Sequence, residues 1–237
     1  MSDSIVIIPT FNEIENVERM TEKVMSLDKD FHVLYVDDSS PDGTAQAIRG
    51  LQGKFPGRVH LEERQGKLGL GTAYIHGFRW SLDHKYEYIF EMDCDFSHNP
   101  DDLIRLYNAC HIDGADVSIG SRYCKGGKVS NWPMKRILMS YFASVYVRMI
   151  LWIGIKDTTA GFKCYRHKVL AKINLDGVTF KGYAFQICMK YAAKRHGFII
   201  KEVPITFIDR EFGTSKMSTG IFKEAFFGVW KMRRMKL

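Results

Sequence analysis

YIFEMDCDFSHNP, residues 88–100, reads as a buried strand that ends in a pair of carboxylates. Tyr88-Ile89-Phe90-Glu91-Met92 is a largely apolar run of strand length, and Asp93-Cys94-Asp95 closes it. Pro100 opens a helix behind Asn99 as N-cap, with Asp101 and Asp102 in the first turn, where the helix dipole favours acid. Alternate residues of an extended chain point to opposite faces. Once the strand ends the chain bends, and both carboxylates can approach one divalent ion. Hard ions such as Mg²⁺ and Mn²⁺ take oxygen ligands and share them with substrate phosphates. A D-x-D is also an ordinary polar turn; its place at a strand end is what favours Asp93 and Asp95 as metal ligands. His98 beside them reads as a loop residue.

The same grammar repeats on either side. Ile5-Val6-Ile7-Ile8, ended by Pro9, is a β-branched run of the kind found in buried parallel strands. Val17, Met20, Val24 and Leu27 mark one face of a helix over 13–27. Val33–Val36 is a second strand, 44–51 a helix, 58–62 a third strand, 72–83 a helix, and 117–120 a further strand. Strands alternating with helices predict an α/β layered fold with a mostly parallel sheet. The polar clusters fall after Ile8, Val36, Met92 and Ile119, at strand carboxyl ends, where such sheets bind ligands. Further on, 133–155 and 184–196 read as helices, 198–208 as a strand interrupted at Pro204, and 217–236 as a basic amphipathic segment. The organisation expected is one domain, 1–216, with a C-terminal extension, 217–237.

Composition removes several function classes. With 46% hydrophobic and 26% charged residues in 237, the chain is an ordinary globular one, neither disordered nor collagen-like. Five cysteines without a C-x-x-C support neither a zinc ribbon nor a thioredoxin-type site, and scattered thiols point to a reducing, cytoplasmic compartment. The N-terminus reads as no signal peptide. The eight histidines form no H-E-x-x-H, and no G-x-S-x-G elbow occurs. Gly66-Lys67-Leu68-Gly69-Leu70-Gly71-Thr72 is neither a Walker A motif nor G-x-G-x-x-G. Most of the net charge of +7 lies at the end of the chain, where six Lys/Arg face only Glu224 from Lys216 onward. Such a tail meets anionic lipid, nucleic acid or solvent alone.

Several residues remain as candidates. Asp37 and Asp38 close the second strand and can accept hydrogen bonds from a base or ribose, while Asp42 reads as a helix cap. Lys67 can neutralise phosphate in a loop whose glycines permit close approach. Arg122 lies at a strand end; Arg136 and Ser140 share a helix face, and an arginine, a hydroxyl and a helix N-terminus together make an anion site, whereas as isolated surface residues they mean little. Arg210 and Lys216 sit in a polar loop able to fold over a diphosphate. Residues 137–155 have the length of a membrane span, but Arg148 inside them costs about 2.5–3.5 kcal/mol at mid-bilayer. A helix packed on the core with its outer face in the headgroup layer is the expectation.

IIPTFNEIENV (7–17), VDDSSPDGTA (36–45), GKLGLGTAYIHGF (66–78), MDCDFSHNP (92–100), IGSRY (119–123), DTTAGFKCYR (157–166) and VPITFIDREFGTSKM (203–217) span nearly the whole chain. In these the chain resembles family 2 glycosyltransferases of the GT-A fold, within them the dolichyl-phosphate (polyprenyl-phosphate) mannose synthases. Where some members carry a glutamine two residues after the second aspartate, Ser97 stands here. The resemblance implies inverting transfer of mannose from GDP-mannose to a polyprenyl phosphate. It implies that Pro9, Thr10, Glu13, Asp37, Asp38, Lys67 and Cys94 serve the nucleotide sugar. Asp93 and Asp95 would hold Mg²⁺ or Mn²⁺, Asp95 and Arg122 being the catalytic pair. Arg122, Arg136 and Ser140 would bind the acceptor phosphate, and Arg210 and Lys216 would close over the diphosphates. It further implies a peripheral enzyme on the cytoplasmic face of a membrane, with room for a membrane-anchoring subunit and no nucleic-acid partner. Two rivals stand beside this reading: the same fold with another donor, such as UDP-glucose, or another acceptor, and a non-catalytic membrane- or nucleic-acid-binding module.

Overall fold

Ile5, Val6, Ile7 and Ile8 have no exposed surface, and they alternate between the two apolar layers that cover the sheet. A β-branched run with no polar face is what a strand covered on both sides requires. This strand is β1 (Ser4–Thr10), the sheet's centre of construction in a computed structural model that describes residues 2–209 and 219–235. It is followed by α1 (Ile14–Met25), β2 (His32–Asp37), α2 (Thr44–Lys54), β3 (Val59–Glu63), α3 (Leu70–Asp83), β4 (Tyr88–Glu91), α4 (Asp102–His111), β5 (Val117–Ser121) and β6 (Lys128–Val129). Then come α5 (Met134–Leu151), β7 (Lys163–Arg166), α6 (His167–Lys172), α7 (Tyr183–Arg195), β8 (Ile200–Pro204), β9 (Thr206–Phe207) and α8 (Thr219–Met232).

Seven strands form one sheet in the order β3-β2-β1-β4-β7-β5-β8, all parallel except β7. The architecture is therefore the mixed, mostly parallel α/β sheet expected. Parallel pairing of β1 with β2 runs from Ile5↔His32 to Thr10↔Asp37, but pairing with β4 stops at Ile7↔Glu91. Pro9 has no N–H to offer, and it sits where the β4 side of the ladder has already ended. Beyond Ile7 the two strands part. The crevice lies where the strand order reverses, the switch point at which such sheets receive ligands.

Three local readings change. β7 was not expected: KCYR shows no apolar period, and its Lys163 is buried only because Glu91 on β4 pairs with it at 2.9 Å. The strand expected over 198–208 is two, β8 in the main sheet and β9 paired with β6. The helix behind Pro100 begins regular turns at Asp102, with Asp101 as its N-cap; Asn99 Oδ1 instead accepts from the Asp101 N–H at 3.1 Å.

α3 crosses β1 closely enough that a Cβ at Gly77 would stand 2.7 Å from Ile7 Cγ2. Val229 and Met232 of α8 join the apolar layer that also holds α7 and the buried side of α5. The domain boundary expected at 216/217 lies outside the described residues. α5 buries only Ser144, Val147 and Leu151 of its eighteen residues, and leaves Met134, Met139, Phe142 and Met149 more than half exposed. Among the described residues no helix is long and apolar enough to cross a membrane.

Candidate active site

The carboxyl ends of β1 and β2 form the first wall. Asp37 Oδ1 accepts from Thr10 Oγ1 at 2.9 Å and from Ser40 Oγ at 2.6 Å, and Oδ2 accepts the Ser40 N–H at 2.9 Å. Ser40 Oγ in turn receives the Asn12 N–H, and Asn12 and Ser39 both hold φ of 55°. Positive φ at non-glycine residues is uncommon and collects at functional turns. Asp38 is buried against Arg64, whose Nε lies 2.7 Å from Oδ1, while Oδ2 accepts the Leu68 N–H. Asp38 thus pins the 64–69 loop to the sheet, a partnership that places Arg64 in the site. Asp42 accepts from the N–H groups of Thr44 and Ile14, which joins the starts of α1 and α2 and pulls its pKa down despite partial burial. Glu13 accepts from Asn16 Nδ2. Lys67 Nζ stands 4.7 Å above the Phe11 ring. Gly71 serves packing: a Cβ there would meet the Phe180 carbonyl at 2.4 Å.

The second wall follows β4. Asp95 is 7% exposed and accepts the Ser97 N–H at 3.1 Å, while Asp93, with a 40% exposed side chain, accepts from Tyr74 Oη at 3.4 Å. Phe96 between Asp95 and Ser97 has φ of 58°. The Cys94 side chain is buried in the core, so what it offers a ligand is backbone. His98 is a loop residue, as expected, and it is buried. It lies between Phe162 and Phe207, its Nδ1 is 3.9 Å from Asp93 Oδ2, and that nitrogen has no hydrogen bond among the described residues. Burial pushes its pKa down to about 4 against the pull of Asp95, so the ring is neutral at pH 7. No three His, Cys, Asp or Glu side chains among the described residues converge as a closed metal cage. Two carboxylates at a strand end suit a hard cation that would share its remaining positions with phosphate oxygens and water.

The third wall carries cations. Asp157, fully buried, accepts the Arg122 N–H at 3.0 Å and, in a fork, Arg122 Nε and Nη2 at 2.7 Å each; Nη2 also reaches Thr159 Oγ1 at 2.8 Å. Burial opposes both charges, but the pair more than offsets it: Asp157's pKa falls and Arg122's rises. Among the described residues Nη1 of Arg122 has no partner. Arg136 stacks on Trp132 at 3.8 Å and pairs with Asp209 at 3.2 Å. Arg122, Arg136 and Ser140, separated in sequence, line one cavity of about 530 Å³. Away from them its walls are apolar, built from α5, α7 and α8 by residues such as Val147, Ile187, Phe226 and Phe227. Phe207 joins this wall to the second, since it touches His98 on one side and Arg122 on the other. Arg210 and Lys216 lie outside the described residues. Asp157 opens the DTTAGFKCYR segment, but neither it nor Arg64 shows in sequence which residue it pairs with: each partner lies more than twenty positions away.

A switch-point crevice flanked by carboxylates, with D-x-D at its β4 edge, is the architecture of GT-A glycosyltransferases. A model described as glycosyl transferase family 2 matches residues 5–174, and the chain belongs to that family. It is 47% identical over 232 residues to the polyprenol monophosphomannose synthase of Mycolicibacterium smegmatis, covering 97% of this chain and 87% of that one. To the undecaprenyl-phosphate mannosyltransferase of Micrococcus luteus it is 45% identical over 225 residues, covering 95% and 91%. In fold it is similar to glucosyl-3-phosphoglycerate synthase of Mycobacterium tuberculosis, solved with Mn²⁺, UDP and phosphoglyceric acid. That likeness has a TM-score of 0.70 at 15% identity, over 97% of this chain and 78% of that one.

Proposed function

We propose that this enzyme transfers mannose from GDP-mannose to a polyprenyl phosphate, of which dolichyl phosphate is one kind, at the cytoplasmic face of a membrane. One observation carries the reading: an apolar cavity of about 530 Å³ has two arginines and a serine hydroxyl at one end, beside the wall of the D-x-D. That is the shape of an amphiphile with an anionic head. The names of the two relatives, which concern mannose and polyprenyl phosphates, support it.

The chemistry needs few parts. A phosphate monoester has its second pKa at about 6 and is largely dianionic at pH 7. It attacks the anomeric carbon as the nucleoside diphosphate leaves; one C–O bond forms, one breaks, and the configuration inverts. No residue has to take a proton from the nucleophile. The protein's work is to bring two anions together, and fixed guanidinium groups do this without reorganising. Asp93 and Asp95 would hold a divalent cation, Mg²⁺ or Mn²⁺, which when bound neutralises charge on the departing diphosphate. Asp37 with the 10–13 turn would take the nucleoside, and Arg122, Arg136 and Ser140 the acceptor phosphate.

The exposed apolar side chains of α5, with Trp152 at its end 85% exposed and Phe227 and Trp230 of α8, support contact with the membrane surface. Lys231, Arg233 and Arg234 beside Trp230 suit anionic headgroups, at about 1 kcal/mol per basic residue. The test is a donor screen: radiolabelled GDP-mannose, UDP-glucose and UDP-galactose, each with a C20 prenyl phosphate in vesicles, with and without chelator. Label passing to organic solvent from GDP-mannose, and lost with chelator, is the expected result. Transfer from a uridine donor alone, or chelator-insensitive transfer, refutes it.

A further inference from the structure

Lys190 lies inside α7 with no exposed surface and forms no ion pair among the described residues. Its Nζ donates instead to three main-chain carbonyls: Thr158 at 3.0 Å, Ala160 at 2.6 Å and Gln186 at 3.3 Å. Three acceptors use all three N–H bonds of an ammonium, where a neutral amine offers two. Burial, with Lys163 and Arg122 adding to it, holds the Lys190 pKa well below the ordinary lysine value against the pull of Asp157 and Glu91, and in the neutral form the amine still donates to two of the three carbonyls. An aliphatic side chain would fill the same helix position without desolvating a cation. Helix packing therefore gives no reason for a lysine here; the segment it holds does.

That segment, 157–161, has no regular structure, and it touches two walls of the site. At one end Asp157 and Thr159 grip the Arg122 guanidinium. At the other, a Cβ at Gly161 would stand 3.8 Å from His98 Cε1 and 4.0 Å from Asp93 Oδ2. Glu202 holds its start, accepting the N–H groups of Lys156 and Asp157. The carbonyls in its middle are held by Lys190.

We propose that Lys190 is a positioning residue for acceptor transfer: it ties 157–161 to α7 and so holds the Arg122–Asp157 pair at the cavity mouth. The inference rests on the acceptor reading above. Lys190→Met removes charge and donors at similar length; Lys190→Gln keeps two donors without the charge. In Lys190→Met the amides of 156–162 should exchange with deuterium at least tenfold faster. KM for a C20 prenyl phosphate should rise about tenfold, while GDP binding by calorimetry stays within twofold. Lys190→Gln should fall between Lys190→Met and the parent. Unchanged exchange, or parallel loss of GDP and prenyl phosphate binding, overturns the proposal. So does failure of both variants to fold, which would make the residue structural only. The exchange arm needs no substrate: should the parent enzyme reject prenyl phosphates, the acceptor reading fails, while the tie between Lys190 and the segment is still decided.

Discussion

Asp157→Asn tests the site where its electrostatics are most concentrated. The carboxylate is fully buried and receives three N–H groups from Arg122, two of them at 2.7 Å. Asparagine keeps the shape but turns one acceptor into a donor that faces guanidinium N–H groups. Arg122 then keeps its charge in a buried place with no counter-ion. Breaking a buried pair in this way costs about 3–5 kcal/mol. For a chain of this length, that is a fall in Tm of about 6–20 °C. Acid adds a second reading. Asp157's folded pKa lies below its ordinary value of 3.8, so its contribution is present above that pH and disappears as pH falls through the folded value. The variant's acid limb should therefore be shallower. Thermal melts from pH 3 to 8, with KM for a prenyl phosphate, measure both. The double replacement Arg122→Met/Asp157→Leu should recover most of the stability, because no buried charge remains, yet not recover transfer. A Tm for Asp157→Asn within 2 °C of the parent, or transfer by the double variant, would refute the reasoning.

Asp95→Ala should abolish transfer and the cation dependence of GDP binding; near-normal turnover would remove the metal assignment. Arg136 and Asp209 are both more than a third exposed, so Arg136→Ala should shift stability by no more than about 1 kcal/mol while raising KM for the acceptor several-fold. His32 and His60 sit with Trp80 and Tyr86 at the far end of the sheet, and burial holds both their pKa values below 6.5. The unfolded chain therefore binds protons first on acidification, and stability should decline as pH drops below 6.5; His60→Leu should flatten that slope in melts between pH 7.5 and 5.5. Replacing Trp152 and Phe227 by serine should weaken sedimentation with anionic vesicles at least a hundredfold, at about 1.5–3 kcal/mol for each buried apolar side chain. Unchanged vesicle binding would mean that this face does not meet lipid.

The strands that matter most could be read directly. Ile5–Ile8 and Val33–Val36 are apolar without a polar face, and Tyr88–Met92 is so but for Glu91, a pattern that fits a sheet covered on both sides. Each ends in acid or hydroxyl residues, so the position of the crevice followed from local composition. The resemblance, rather than their spacing, groups Arg122, Arg136 and Ser140. All three line the same cavity.

What stayed hidden is every interaction in which a charge is cancelled at long range. β7 looks polar until Glu91, 72 residues away, neutralises Lys163. Asp157 passes for a turn residue until the fold sets it against Arg122, Arg64 for a surface cation until Asp38 meets it, and Gly71 for a ligand loop until Phe180 closes on it. Periodicity reports how each segment meets an apolar layer, a property of neighbours along the chain. Burial of an ion depends on a partner delivered by another strand or loop, and nothing short of the assembled sheet determines which one arrives.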